Sequence, residues 1–166
     1  IDALNAQDFD FIRKLPNFSK IINTGSYVKN VTGIYPSITY PAHTSIITGT
    51  YPEKHGIFNN EKMEIGVKKQ QWYWQKKYIK VPTLVDIAIE NNMKVGNIFW
   101  PVMAKSKIQY NCHEIWNVKK YGSHIITSLM NGTPLFLISL GLRFGRILRK
   151  INQPNLDDFA CACTCY

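Results

Sequence analysis

Apolar and polar positions alternate along this chain in short blocks with two different periods, and the blocks read as strands and helices in turn. Ile1 closes a first strand and leaves Asp2 at its carboxyl end. Pro16-Asn17 opens a helix through Ile21-Ile22, and Gly25 fits a left-handed position just past its end. Residues 26–31 alternate like a strand. A loop over 33–38 leads to Thr39, and a helix follows over 41–48, with Pro41 at its start and Gly49 after its last turn. A second helix is predicted over 83–91, with Thr83 as its N-cap, and an apolar strand over 95–99. Helices alternating with strands predict an α/β fold with a mainly parallel sheet covered on both faces. In such folds ligands sit beyond the carboxyl ends of the strands. No repeat or low-complexity linker interrupts the pattern, so residues 1–166 read as one domain.

Composition changes this picture little. The length of 166 residues and the 45% hydrophobic share suit a globular core. The opening Ile1-Asp2 and the closing Cys165-Tyr166 read as cuts in something longer, the N-terminal part of a larger catalytic domain. The net charge of +9 raises the question of nucleic acid. Yet Lys68-Lys69, Lys76-Lys77, Lys119-Lys120 and the Arg143, Arg146, Arg149, Lys150 run are scattered, and a solvated basic face accounts for them better. Cys161, Cys163 and Cys165 are spaced too closely for a zinc knuckle, and Cys112 stands alone. They read as reduced cysteines of a core helix, which suits a reducing compartment. The apolar run 135–142 is about half the length that spans a bilayer. A core-facing helix with a basic outer side is preferred there to a helix on a membrane surface.

The chemistry concentrates between Tyr35 and Ile57, in Tyr35-Pro-Ser-Ile-Thr39-Tyr-Pro41-Ala-His43 and Gly49-Thr-Tyr51-Pro52-Glu53-Lys-His55-Gly56-Ile57. A hydroxyl just before a helix meets the positive end of the helix dipole and free backbone N–H groups, a setting made for an anion. A threonine is a poor nucleophile at neutral pH unless a base or metal holds it as the alkoxide. Asp2, at a strand end, could ligate such a metal. On spacing alone, however, Thr39 could equally be an ordinary N-cap.

These segments resemble the signature of the type I phosphodiesterase and nucleotide pyrophosphatase family. Its pattern runs aromatic-Pro-Thr-x-Thr-Phe-Pro-Asn-His, then Thr-Gly-x-Tyr-Pro-Glu-x-His-Gly-Ile. Ile1-Asp2-Ala3, Leu15-Pro16-Asn17, Val81-Pro82-Thr83 and the strand ending Phe99-Trp100-Pro101 extend the likeness on both sides. The resemblance implies an alkaline-phosphatase-like fold, present here as a truncated fragment. It implies Thr39 as nucleophile and metal ligand, Asp2 as metal ligand, and Asn60 as a donor to a phosphate oxygen, with Asn59 one residue out of register. It further implies two zinc ions in the intact enzyme, not retained by this fragment, and a small phosphodiester or nucleotide substrate opened through a covalent phospho-threonine. His43 and His55 are assigned to hydrogen bonds that hold the nucleophile loop, not to metal. The family's remaining ligands lie beyond this chain. Asp157 and Asp158, just after Pro154-Asn155, read as structural carboxylates in a first helical turn.

Two positions depart from the family. Its usual glycine after the metal aspartate is Ala3, and its asparagine between Pro and His is Ala42, which bears on substrate preference more than on catalysis. Competing readings are a sulfate or phosphonate ester hydrolase of the same superfamily, and a phosphate- or nucleic-acid-binding module without turnover. Thr39 is neither the cysteine nor the serine that sulfatases modify.

Overall fold

The structure is a computed structural model and describes residues 4–68, 70–115, 123–149, 152 and 154–166. The chain divides into two compact units, Ile1–Gly33 and Ile34–Tyr166. In the first, Asn5 and Asp8 form a capping box over a 3₁₀ turn at Ala6–Asp8, with Asn5 Oδ1 accepting from Gln7 N at 2.8 Å. The turn runs into α1, Phe9–Ile12, and α2 follows at Pro16–Thr24 with its proline in the first turn. Gly25 caps α2 as predicted, but its φ of −120° is extended and not left-handed, and it donates to Ile21 O. Residues 26–31 form no strand. Their alternation supplies side chains for two faces, but a strand also needs a neighbour to accept its ladder bonds, and the described part of this unit offers none. Tyr27 instead stacks on Phe9 at 5.0 Å, while Val28 and Val31 stay exposed.

The second unit holds α3, Thr39–Thr48, then α4, Pro52–His55, and α5, Leu84–Glu90. Two strands follow, β1 at Gly96–Ile98 and β2 at Tyr110–Cys112. They pair in parallel, with Gly96 opposite Tyr110, Asn97 opposite Asn111 and Ile98 opposite Cys112. The chain closes with α6, His124–Asn131, α7, Pro134–Phe144, and α8, Asn155–Thr164. The class is therefore mixed α/β with a small parallel sheet, as the alternating pattern predicts.

Two apolar clusters organise this unit. Tyr40, Ile47, Ile57, Ile79, Val102, Met103 and Ile108 bury together, and Trp72, Val85 and Trp100 pack on them. Cys112, Leu140, Phe159 and Cys163 form the other, with Ile98 and Phe136. Between them the buried amides of β1 and β2 are satisfied by each other. Asn97 Nδ2 donates to Asn111 Oδ1 at 2.8 Å, and Asn111 Nδ2 donates to Met103 O at 2.8 Å. The C-terminal helices bury less than the sequence predicts. In α7 only Leu140 is buried, whereas Leu135 and Leu142 are exposed. In the last segment Cys163 is buried, whereas Cys161 and Cys165 are exposed.

Helix α5 begins where the sequence predicts because its first turn is capped twice. Thr83, fully buried, accepts from Asp86 N at 3.2 Å, and Asp86 Oδ2 accepts from Thr83 N at 2.8 Å. Lys76 Nζ reaches the same carboxylate at 2.5 Å. Burial alone would raise the Asp86 pKa, but Lys76 and Thr83 together hold it below its ordinary value. Replacing Thr83 by Ala should lower unfolding free energy in a denaturant titration by about 1–2 kcal/mol, and Thr83→Ser should recover most of it.

His113 follows β2 and is 4% exposed, with neither ring nitrogen partnered among the described residues. Space there is tight, since a Cβ at Gly132 would stand 2.8 Å from His113 Nδ1 and 2.5 Å from Asn111 O. Burial lowers the His113 pKa from 6.5 to about 4. Between those values the unfolded chain binds a proton that the folded chain refuses. Stability is therefore complete above pH 6.5 and falls as pH drops toward 4, by up to about 3 kcal/mol. Chemical denaturation across this range should show the slope, and His113→Leu should flatten it.

Candidate active site

Helix α3 starts two residues earlier than its proline suggests. Ile38 is the extended N-cap, at φ −114° and ψ 160°, and Thr39 is the first helical residue. Thr39 is therefore inside the first turn and does not cap it. Pro41 falls at the third position, where no helical N–H bond is lost. Gly49 ends the helix where predicted, in the left-handed conformation at φ 64°.

The hydroxyls of α3 divide into two kinds. Thr44 Oγ1 donates to Tyr40 O, and Thr48 Oγ1 to Thr44 O, both at 2.7 Å. These back-bonds use a carbonyl four residues earlier, which the helix does not yet provide for Thr39. The Thr39 hydroxyl, on a half-buried residue, has no hydrogen-bond partner among the described residues. An unpaired hydroxyl oxygen at a helix start fits an anion's electrophilic centre or one position in a metal's shell.

The first-turn donors are fewer than the open set predicted. Tyr40 N donates to Asn60 Oδ1 at 2.8 Å, Pro41 has no N–H, and Ala42 N donates to Ile38 O at 3.1 Å. The first of these bonds also orients Asn60. A backbone N–H needs the oxygen of the amide, so the Nδ2 donor is the end left over. Asn60 is placed by its backbone as well, since Asn60 O accepts from Tyr73 N at 2.9 Å. Asn59 faces the other way in function: its Oδ1 accepts from Asn60 N at 2.8 Å.

The two histidines of the motif brace this arrangement. His43 Nδ1 donates to Thr39 O at 2.8 Å, and its ring stands edge-on to Trp100 at 4.9 Å. His55 is fully buried; its Nδ1 accepts from Ile57 N at 3.1 Å, which leaves Nε2 as the donor to Ser45 Oγ at 2.9 Å. Burial lowers its pKa and keeps the ring neutral. Next to Thr39, Tyr40 is also fully buried. Burial first, and then the Glu114 carboxylate, push its phenol well above the ordinary tyrosine range, so it stays protonated.

Asp2, the predicted metal ligand, lies outside the described residues, as do Ala3, Lys69, Lys119, Lys120 and Lys150. Among the described residues no group of three or more His, Cys, Asp or Glu is placed to hold a metal ion. Asp157 and Asp158 occupy the first turn of α8 and are exposed, as a structural role predicts. Also among the described residues, no helix is long and apolar enough to cross a membrane. Sequence reasoning missed Glu61 and Trp72, which bridge one another beside Asn60. An acid and an aromatic eleven positions apart carry no periodic signal, and only the pairing of their segments reveals them.

Several known proteins are similar to part of this chain. Ectonucleotide pyrophosphatase/phosphodiesterase family member 1 of Mus musculus is 38% identical over 93 residues, which are 52% of this chain and 10% of that protein. Family member 3 of Bos taurus is 32% identical over 97 residues, 52% of this chain and 10% of that one. The bis(5'-adenosyl)-triphosphatase ENPP4 of Bos taurus is 28% identical over 103 residues, 57% of this chain and 21% of that protein. The chain thus spans between 10% and 21% of the length of these three relatives. The family profile described as type I phosphodiesterase / nucleotide pyrophosphatase matches residues 1–156, from before α1 into the start of α8, and the chain belongs to that family.

Proposed function

We propose that this chain carries the nucleophile side of a metal-dependent hydrolase of phosphodiester or nucleotide pyrophosphate bonds. The observation that carries the reading is the bond from Tyr40 N to Asn60 Oδ1. It ties the free Thr39 hydroxyl and the free amide donor of Asn60 to the same helical turn. A nucleophile and a donor for developing negative charge are what phosphoryl transfer asks of a protein. The names of the relatives, which are pyrophosphatases, phosphodiesterases and a triphosphatase, support a small phosphodiester or nucleotide as the substrate.

In this mechanism the Thr39 oxygen attacks phosphorus in line, a bond to the leaving oxygen breaks, and a phospho-threonine results. Water then opens that ester and restores the hydroxyl. Asn60 Nδ2 donates to a phosphoryl oxygen as charge grows on it. His43, on the Thr39 carbonyl, fixes the turn that presents the hydroxyl. Two zinc ions, when bound, would lower the hydroxyl's pKa and neutralise phosphoryl charge, with Asp2 and Thr39 among their ligands.

Assays of a chromogenic phosphodiester with the complete enzyme test the assignments. Thr39→Ala should abolish turnover without unfolding the protein, while Thr39→Ser should retain part of it. Asn60→Ala should lower kcat by about two to three orders of magnitude, and Asn59→Ala by much less. Parent activity in Thr39→Ala, or the reverse ranking of the two asparagines, contradicts the reading.

The 166-residue chain alone should neither keep zinc nor turn over. A zinc site needs about three protein ligands or more, and only Asp2 and the Thr39 hydroxyl are named for it. Elemental analysis of the purified chain, with diester assays with and without added zinc, checks this. Stoichiometric zinc with multiple turnovers would show that further ligands have gone unrecognised.

A further inference from the structure

Asn60 begins a short antiparallel pairing that no periodicity announces. Tyr73 N donates to Asn60 O at 2.9 Å and Lys62 N to Gln71 O at 2.7 Å, with Glu61 and Trp72 opposite each other between them. The Trp72 indole N–H donates to Glu61 Oε1 at 2.9 Å. Its ring meets the ring of Tyr40 edge to face, with centroids 5.3 Å apart and planes at 82°. Tyr40 is the second residue of α3, directly after Thr39, and its side chain is fully buried. One side chain therefore touches both parts of the site: the Asn60 segment through Glu61, and the head of α3 through Tyr40.

We propose that Trp72, held by Glu61, is a positioning residue that sets the distance between the Thr39 hydroxyl and the Asn60 amide. The inference rests on the catalytic reading of those two residues. The bond from Tyr40 N to Asn60 Oδ1 is a single contact between two segments twenty residues apart, and by itself leaves Asn60 free to swing about it. The ladder bond fixes the Asn60 backbone along the strand direction. The Trp72 ring fixes it across that direction, because the ring of Tyr40 and the carboxylate of Glu61 both engage the indole. Edge-to-face rings favour one separation and one angle, so the bracket resists both closing and opening. Displacement of a donor by a fraction of an ångström to 1 Å loses much of its effect on a transition state.

Two substitutions separate the arms of the bracket. Trp72→Phe keeps a ring against Tyr40 and deletes the indole donor. Glu61→Ala deletes its acceptor, and Glu61→Gln keeps an oxygen in the same place. Amide hydrogen exchange on the 166-residue chain reads the geometry directly. Trp72→Phe and Glu61→Ala should each speed exchange of the Tyr40 amide by on the order of tenfold relative to Ile47 in the same helix, and Glu61→Gln should restore it. In the complete enzyme, Trp72→Phe should lower kcat by about one to two orders of magnitude with KM nearly unchanged. Because Trp72 acts through Asn60, Asn60→Ala with Trp72→Phe should be no slower than Asn60→Ala alone.

Unchanged Tyr40 exchange in Trp72→Phe and Glu61→Ala overturns the proposal, as does a double variant whose losses multiply. If Asn60→Ala itself turns over at the parent rate, the catalytic reading of Asn60 falls. The exchange measurements then still decide whether Trp72 sets the geometry.

Discussion

Of the backbone donors in the first turn of α3, the Tyr40 N–H is the one that reaches a distant residue, Asn60. Proline removes the next donor, and Ala42 N turns back to Ile38 O. The remaining bond fixes three things together. It chooses which end of the Asn60 amide faces outward, it satisfies a buried donor whose loss would cost about 1–3 kcal/mol, and it joins the segment after Ile57 to the residue that follows Thr39. Every other feature of the site either leads to this bond or keeps it in place. His43 steadies the carbonyl of Thr39, His55 ties Ser45 to the turn at Ile57, and Tyr73 holds the backbone of Asn60.

The groups that brace α3 are kept uncharged by burial. The His55 ring is neutral with both nitrogens engaged, and the Tyr40 phenol is held protonated. Neither can take the Thr39 proton: His55 is occupied, and a neutral phenol is an acid. His43 spends its Nδ1 hydrogen on the carbonyl of Thr39, which orients its ring. The hydrogen bonds described around Thr39 thus hold its turn, and none of them reaches its hydroxyl.

What the sequence disclosed follows from how local each cause is. Thr83 and Asp86 sit three residues apart and satisfy each other, so the start of α5 was legible, and so was the end of α3 at Gly49. The parallel pairing of β1 followed from the alternation of element types, although β2, only Tyr110–Cys112, was too short to announce itself. The strand expected over 26–31 failed because pairing depends on a partner far away in sequence. Thr39 was placed one residue outside its helix because an N-cap and a first-turn threonine look alike until the cap bond is sought, and Ile38 is the cap. For the site, Thr39 and Asn60 could be singled out by their motif, whereas Trp72 and Glu61 act only through tertiary pairing and left no trace in it.

Ala42 gives the departure from the family pattern a physical meaning. It stands three residues after Thr39 on the same helix, a spacing that puts two side chains on one face. An asparagine there would present a second amide beside Thr39. Alanine presents a methyl group on a half-buried residue, and its N–H is already spent on Ile38 O. Polar recognition next to Thr39 is thereby concentrated on Asn60, which reaches the site from a different segment. A chain with two amides on hand can tolerate a small drift in either, because the other still meets the charge. A chain with one cannot. On the proposed reading, the contacts of Trp72 with Glu61 and Tyr40 would matter the more for it: the fewer the donors, the more the geometry of the one that remains has to be fixed.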